Sequence, residues 1–258
     1  MAMLSTSTGT RLIHFRLSLS RLFSTNTSKR MTDLLSALRG LDTACLCDAD
    51  KSIERSTDYQ PLSLVEGLRP LTSGNTIAGF SRTIQCSERN DFLAVLDGLA
   101  GAQRDDVLVV NTLDSRRAVA GELFCAEAAR RGVQGIIVDG PMRDTKYLSD
   151  FLTVRCFSKS VTPYSGTVKC LGETQVPVWC GGVQVNPNDI IVGDDDGIIS
   201  AKAETFEVLL PLARQIQAAE ERIRKAVTGE QKSLHSMTNY EDHIEAIRKG
   251  EISSLKFL

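Results

Sequence analysis

The sequence predicts an α/β fold with at least one pair of parallel strands, and three features predict it. An apolar run at 107–110, a helical stretch at 122–131 and a second apolar run at 135–139 follow one another as strand, helix, strand. Such a βαβ unit makes its strands parallel and its crossover right-handed. Residues 152–200 are β-rich and punctuated by Gly, Pro and Asn. A stretch at 204–226 then carries Phe206, Leu209, Leu210, Leu212, Ala213 and Ile216 on one helical face. A chain of 258 residues with 42% hydrophobic side chains can bury a full core, and a single compact domain accounts for these elements.

The elements follow in chain order. Residues 32–38 form a short helix, and Asp42 caps another running through Ala49. Residues 52–74 are polar and turn-rich, and read as loop. Residues 76–85 form a strand. Asn90 caps a helix that carries Phe92, Leu93, Leu96 and Leu99. Asp105-Asp106 makes a turn into the strand at 107–110, whose unbroken apolar character fits burial on both faces. The helix at 122–131 has Glu122 in its first turn, Arg130 and Arg131 in its last, and Gly132 just beyond as a C-terminal cap. Later strands are expected at 152–157, 166–170, 176–180, 183–185, 189–193 and 197–200, and a short helix around 240–247. The domain plan is a leader over 1–30, a catalytic body over 31–227 and a polar, partly helical extension over 228–258.

Charge separates the leader from the rest. Residues 1–30 hold Arg11, Arg16, Arg21, Lys29 and Arg30, eleven Ser or Thr, and no acid. Removing them turns a net charge of −2 into −7 for residues 31–258. An Arg- and Ser-rich, acid-free start with interspersed Leu, Ile and Phe reads as a mitochondrial transit peptide. The run Arg21-Leu22-Phe23-Ser24 places the cut between Phe23 and Met31, and the matrix is the expected compartment. A cytosolic tail ahead of an alternative start at Met31 is the competing reading. Arg16 and Arg21 interrupt any secretory h-region. The acidic body excludes a broad nucleic-acid footprint, and no run of eighteen apolar residues exists to span a membrane.

Cysteine and histidine narrow the chemistry further. Seven cysteines occur without a C-x-x-C pair, so they read as reduced thiols serving as small core hydrophobes. Of three histidines, His14 lies in the leader and His235 and His243 in the C-terminal extension. A His-based triad or His-ligated metal in the body is therefore excluded, leaving carboxylates, arginine, lysine and backbone groups. The acidic run 193–197 lacks the ligand spacing of a calcium loop and reads as a β-turn.

Parallel strands end at one edge of a sheet, and ligands bind there. Gly121 precedes the helix of the βαβ unit and Glu122 opens it, and Arg143-Asp144 follows its second strand, with twenty residues between Glu122 and Arg143. All four should converge. The first free helix amides, near Leu123 and Phe124, make an anion site. Arg143 offers paired hydrogen bonds to a carboxylate, and Asp144 an oxygen ligand for Mg²⁺ or Mn²⁺. The site fits a small 2-oxo acid. A helix-terminal acid beside an ordinary surface turn is the alternative.

The same residues carry a resemblance. Gly121-Glu122-Leu123-Phe124, then the stretch 132–144 ending Asp139-Gly140-Pro141-Met142-Arg143-Asp144, resemble the 4-hydroxy-4-methyl-2-oxoglutarate aldolases, a family that includes the regulators of ribonuclease activity A. Thr43-Ala44 with Asp48-Ala49, Ala78-Gly79 through Thr83, Phe157 through Pro163, 181–189 and 194–197 agree in order and spacing. The likeness spans about 35–200. It implies a swivelling β/β/α sandwich, a homotrimer with sites near subunit interfaces, and a divalent-metal retro-aldol reaction that yields pyruvate, with oxaloacetate decarboxylation through the same enolate. It also implies Asp144 as metal ligand, Arg143 as a catalytic and substrate contact, and Gly121 to Phe124 as the carboxylate cradle. Glu122 stands where the aldolases commonly have aspartate, and Asn188 where a glycine is usual. A Schiff-base lysine is the competing chemistry, with Lys146 and Lys159 as candidates. A catalytically silent protein-binding regulator is the competing function.

Overall fold

The computed structural model describes residues 28–54, 57, 59–150 and 153–255. The arginines, serines and threonines of 1–27, including the expected processing run, lie outside the described residues. Two helices open the fold: α1 over 28–38 and α2 over Thr43–Ser52. Short strands β1 (Ser63–Val65) and β2 (Arg69–Pro70) precede β3 (Ile77–Gln85), α3 (Leu93–Ala100), β4 (Asp106–Asn111), α4 (Glu122–Arg131), β5 (Gly135–Met142), α5 (Thr145–Leu148) and β6 (Arg155–Val161). Then come β7 (Glu173–Thr174), β8 (Val178–Cys180), β9 (Val183–Val185), β10 (Ile190–Gly193), β11 (Ile198–Ala201), the long α6 (Ala203–Gly229) and α7 (Tyr240–Arg248).

The main sheet runs β1-β11-β10-β3-β4-β5-β6-β2, with β7 alongside β3. Strands β3, β4, β5 and β6 are mutually parallel and the outer pairings antiparallel. One face meets helices. Ile84, Leu108, Val110, Ile136, Val138 and Cys156 pack with Val95 and Leu99 of α3 and Cys125 and Ala128 of α4. On that face Ala78, Ile190, Val192 and Ile199 pack with α1, α2 and Phe206 and Leu209 of α6. The other face carries Val107, Val109, Ile137, Phe157 and Ile191, covered by Val178, Cys180 and Val185 of the β8–β9 hairpin. The result is the expected three-layer β/β/α sandwich. Alternation of side chains along a strand explains why 136 and 138 serve one core and 137 the other.

Several expectations are corrected. The stretch 52–74 is not all loop, because Ser63–Val65 pairs with β11 and Arg69–Pro70 with β6. The expected strand at 152–157 is shifted to Arg155–Val161. Segment 166–170 is not a strand; Asp91 holds it through its carboxylate, which accepts from Lys169 N at 2.6 Å and Thr167 Oγ1 at 2.8 Å. Burial alone would raise the Asp91 carboxyl, but the Lys169 and Leu93 amides and the Thr167 hydroxyl outweigh it and hold it below its usual range. Asn90 does not cap α3. It sits at φ 64° and its Oδ1 accepts instead from Ser115 Oγ and Arg116 N, while Asp91 Oδ1 accepts from Leu93 N at 3.0 Å.

The acidic run at 193–197 is structural. Asp194 N donates to Gly197 O to close the β10–β11 turn. Its carboxylate accepts from Asp196 N, Gly197 N, Thr43 N at 2.7 Å and Thr43 Oγ1 at 2.8 Å. One buried carboxylate thus fixes a hairpin and the amino end of α2, which Asp42 also caps through Cys45 N. Asp194→Ala is expected to lower stability by about 2–4 kcal/mol, since it strips a charged acceptor from buried donors. Urea unfolding followed by circular dichroism checks this, and an unchanged midpoint would refute it.

Candidate active site

The strand β5 does not stop at Asp139. It runs through Gly140-Pro141 to Met142, with its register against β6 shifted between Val138 and Pro141. Strand β4 ends opposite Asp139, at Asn111. Beyond that point residues 118–120 take its place beside β5: Val119 N donates to Pro141 O, Ala120 bridges Met142 in parallel, and Arg143 N donates to Ala120 O at 3.1 Å. Pro141 therefore sits where the loss of one donor is tolerated. This extension places Gly121 directly beside Arg143 and Asp144.

The convergence is tight. A methyl group on Gly121 would lie 2.5 Å from Asp144 Oδ2 and 2.9 Å from Arg143 Cγ, so the site needs a glycine for space. Asp144 adopts φ 61°, ψ 30°, a left-handed conformation that aspartate tolerates better than most residues. Its Oδ2 accepts from the Glu122 amide at 3.4 Å and lies 3.2 Å from Arg143 Nε. Both side chains remain about one-third exposed. Phe124 N and Cys125 N donate to Gly121 O. The free-amide expectation is corrected at Phe124, whose N–H is used within the first turn. The Leu123 amide, too early in α4 for a helical acceptor, remains an anion donor.

Phe92, residues 118–121, Leu123, Phe124, Arg143, Asp144 and Ser165 line a cleft of about 40 Å³. That is room for a few waters, so a keto acid must rest against the open side, where Leu123 is 75% exposed. Glu122 enters through its backbone N–H, and its carboxylate is not part of the lining. Phe92 and Ser165 were not foreseen. Phe92 reaches the site edge-to-face against Phe124, centroids 5.8 Å apart, and Ser165 arrives through a bridge to Ala118. Neither spacing nor motif marks these contacts, because both depend on loops that fold back on the edge.

The Schiff-base candidates fare differently from Asp144. Lys159 Nζ is paired with Asp139 Oδ1 at 3.2 Å, away from the Gly121–Asp144 cleft, whose lining does not include it, and Lys146 is exposed over the Tyr147 ring. A divalent cation fits Asp144 chemically: Oδ2 is engaged and Oδ1 accepts no hydrogen bond among the described residues, leaving an oxygen ligand at a wet edge. Among the described residues Asp42, Cys45 and Glu220 also gather potential ligands. There the acids are committed elsewhere, Asp42 to the Cys45 amide and Glu220 to the Cys45 thiol. Burial, reinforced by both acids, pushes that thiol up and keeps it protonated.

Residues 43–200 match the family model described as RraA-like, Aldolase/RraA. The chain belongs to the RraA-like family. It is 31% identical over 202 residues to a Halalkalibacterium halodurans protein named "Putative 4-hydroxy-4-methyl-2-oxoglutarate aldolase", covering 78% of this chain and 91% of that one. It is 30% identical over 210 residues to an uncharacterized protein of Methanocaldococcus jannaschii, covering 80% and 94%. Among solved structures, Streptomyces coelicolor RraAS2, titled an unusual member of the RNase ES inhibitor RraA protein family, superposes with a TM-score of 0.61 at 28% identity, covering 74% of this chain and 96% of that one. The RraA-like match spans the whole of the β4-to-β6 edge just described, so the site residues lie inside the family's own domain.

Proposed function

We propose that this RraA-like protein is a divalent-metal-dependent lyase that cleaves 2-oxo acids of the 4-hydroxy-4-methyl-2-oxoglutarate type to pyruvate and also decarboxylates oxaloacetate. The observation that carries this reading is the junction of Gly121, the Leu123 amide, Arg143 and Asp144 at one exposed sheet edge. The names of the relatives support the aldol chemistry.

The residues divide the work by charge. The Leu123 N–H and the amino end of α4 hold the substrate carboxylate. Arg143 keeps its terminal guanidinium nitrogens for substrate while Nε pairs with Asp144, and it places fixed positive charge where the enolate oxygen develops. Asp144 would hold the cation, Mg²⁺ or Mn²⁺, which supplies a Lewis acid for the keto oxygen. Phe92 and Phe124 form an apolar wall that keeps water off the inner side of the cleft.

Glu122 handles the proton through a bound water in this scheme. Glu122→Gln keeps the helix and removes the charge. It is expected to lower kcat by about 10²-fold with little change in KM, because binding rests on Arg143, the amides and the cation. Wild-type kinetics on both substrates would reduce Glu122 to a helix-terminal acid. The test of the whole reading is pyruvate release from oxaloacetate and from 4-hydroxy-4-methyl-2-oxoglutarate, with and without chelator. Release that resists excess chelator sinks the metal route.

The second reading is a catalytically silent protein-binding regulator, favoured by the inhibitor title of the Streptomyces coelicolor structure. Metal-loaded protein that releases no pyruvate from either substrate would establish it over the lyase. Two further proposals complete the picture. The shallow cleft and the exposed Leu123, Val161 and Tyr164 at the same edge suit a homotrimer in which a second copy supplies the outer wall; light scattering that gives a monomer at micromolar concentration would oppose it. Residues 1–30 are proposed to direct import into the mitochondrial matrix, and a reporter carrying residues 1–35 that stays cytosolic would remove that proposal. No helix among the described residues is long and apolar enough to cross a membrane.

A further inference from the structure

The cleft at the Asp144 edge, about 40 Å³, is too small to hold a keto acid, so a smaller group has to fill it. Its polar side chains are Arg143, Asp144 and Ser165, and the rest of its wall is apolar. Phe92 and Phe124 meet edge to face there, ring centroids 5.8 Å apart, and both pack from behind against the core under α3 and α4. Ala118 and Ala120 leave the space that larger side chains would take. Ala118 is buried, yet it belongs to none of the three hydrophobic clusters that pack the sheet. An apolar hollow of this kind gains free energy by exchanging its water for an uncharged group. A charged group placed against the same wall would lose its hydration and gain little.

The atoms of a 4-substituted 2-oxoglutarate sort themselves against this wall. The C1 carboxylate and the C2 keto oxygen are polar and go to the Leu123 amide, Arg143 and the cation. C3 is an unbranched methylene. The 4-hydroxyl and the C5 carboxylate keep their hydration on the open side, where Leu123 is exposed. The remaining group is the second substituent on C4. A hydrogen there leaves the hollow to water, whereas one methyl group fills it.

We propose that the hollow lined by Phe92, Ala118, Ala120 and Phe124 is a specificity pocket for one small alkyl group on C4 of the 2-oxo acid, so that the chain selects 4-methyl compounds over unbranched ones. This rests on the reading of the Asp144 edge as a 2-oxo acid site. None of the four side chains can hold the cation or move a proton, so they set selectivity and take no part in bond cleavage.

The test measures binding without turnover. Neither 2-oxoglutarate nor 4-methyl-2-oxoglutarate has the 4-hydroxyl that retro-aldol cleavage requires, and the two differ by one methyl group. Each is titrated by isothermal calorimetry into the full chain in the presence of Mn²⁺. The tighter enantiomer of the methyl compound should bind about 10-fold more strongly than 2-oxoglutarate, the low end of what one carbon is worth in an apolar pocket, because this one is open on one side. Ala118→Val fills the hollow and should abolish the preference. Phe92→Ala removes one wall and should reduce it several-fold. Circular dichroism melting checks that both variants fold, and the ratio of the two ligands within each variant cancels general damage to the site. Equal affinity for the two compounds in the wild type would overturn the pocket and leave the keto-acid site standing. A preference that both folded variants keep would overturn it as well. Failure of both compounds to bind the wild type would overturn the pocket together with the keto-acid reading of the edge.

Discussion

Replacing Asp144 with asparagine is expected to cut pyruvate release on the order of 10³-fold while leaving the fold intact, because the change removes the cation's ligand charge and the Lewis-acid contribution with it. Asparagine is the cleaner substitution. The backbone at 144 is left-handed, φ 61°, and asparagine accepts that conformation, whereas alanine adds about 1–2 kcal/mol of backbone cost. The amide oxygen of asparagine can still accept the Glu122 N–H that Oδ2 now holds at 3.4 Å. Asp144→Ala should lose the same activity with a slightly lower melting temperature. A coupled pyruvate assay beside thermal melting separates these effects. An Asp144→Asn protein with wild-type turnover would end the metal mechanism.

Gly121→Ala is expected to lower kcat/KM about 10²-fold with little loss of stability. Its φ of −170° is extended backbone open to any residue, so the effect is one of space. The new methyl would meet Asp144 Oδ2 at 2.5 Å and Arg143 Cγ at 2.9 Å. A carboxylate is a movable end, and it would swing aside rather than unfold α4. Displacements of that size at reacting groups cost about 10²-fold. Steady-state kinetics with circular dichroism melting decide the point. Unchanged kinetics would mean that Asp144 can move freely without consequence, and would weaken its assignment together with that of Arg143.

These two residues show what the sequence made legible. The apolar runs at 107–110 and 135–139 and the dipole-matched ends of Glu122–Arg131 are local signals, and α4 appears with those bounds. The parallel pairing follows from the crossover, so Gly121 and Arg143-Asp144 could be brought together before any coordinate was known. Long-range contacts were not legible. The short β1, β2 and β7 owe their existence to partners more than eighty residues away in sequence. Asn90 looked like a cap, but the neighbouring Asp91 has the shorter reach to Leu93 N, and Asn90 was drawn to Ser115 and Arg116. Of the two amides the sequence marks as free, Leu123 stays so and Phe124 does not, because the first turn of α4 closes on Gly121 O and takes Phe124 N with it. The acids at 194–196, between two glycines, carry a local turn signal, yet nothing local announces that Asp194 also holds Thr43.

The register of residues 118–120 on β5 makes the interval from Glu122 to Arg143 a ruler. Helix α4 climbs ten residues, about 15 Å, away from the edge. A link of only three residues, 132–134, turns the chain, and the eight residues of β5 bring it back to the level of Ala120. There is no slack in this circuit. One residue added to α4 would rotate everything beyond it by about 100° around the helix axis. One residue added to β5 would exchange its two faces, sending Ile137 toward the helices and Ile136 toward the β8–β9 hairpin. Even the irregular stretch 162–172 is pinned to this edge, through the Ala118–Ser165 and Asp91–Thr167 bridges and the Asp91 carboxylate on Lys169 N, so it does not absorb insertions freely either. Length, more than side-chain identity, is what this part of the chain has to keep.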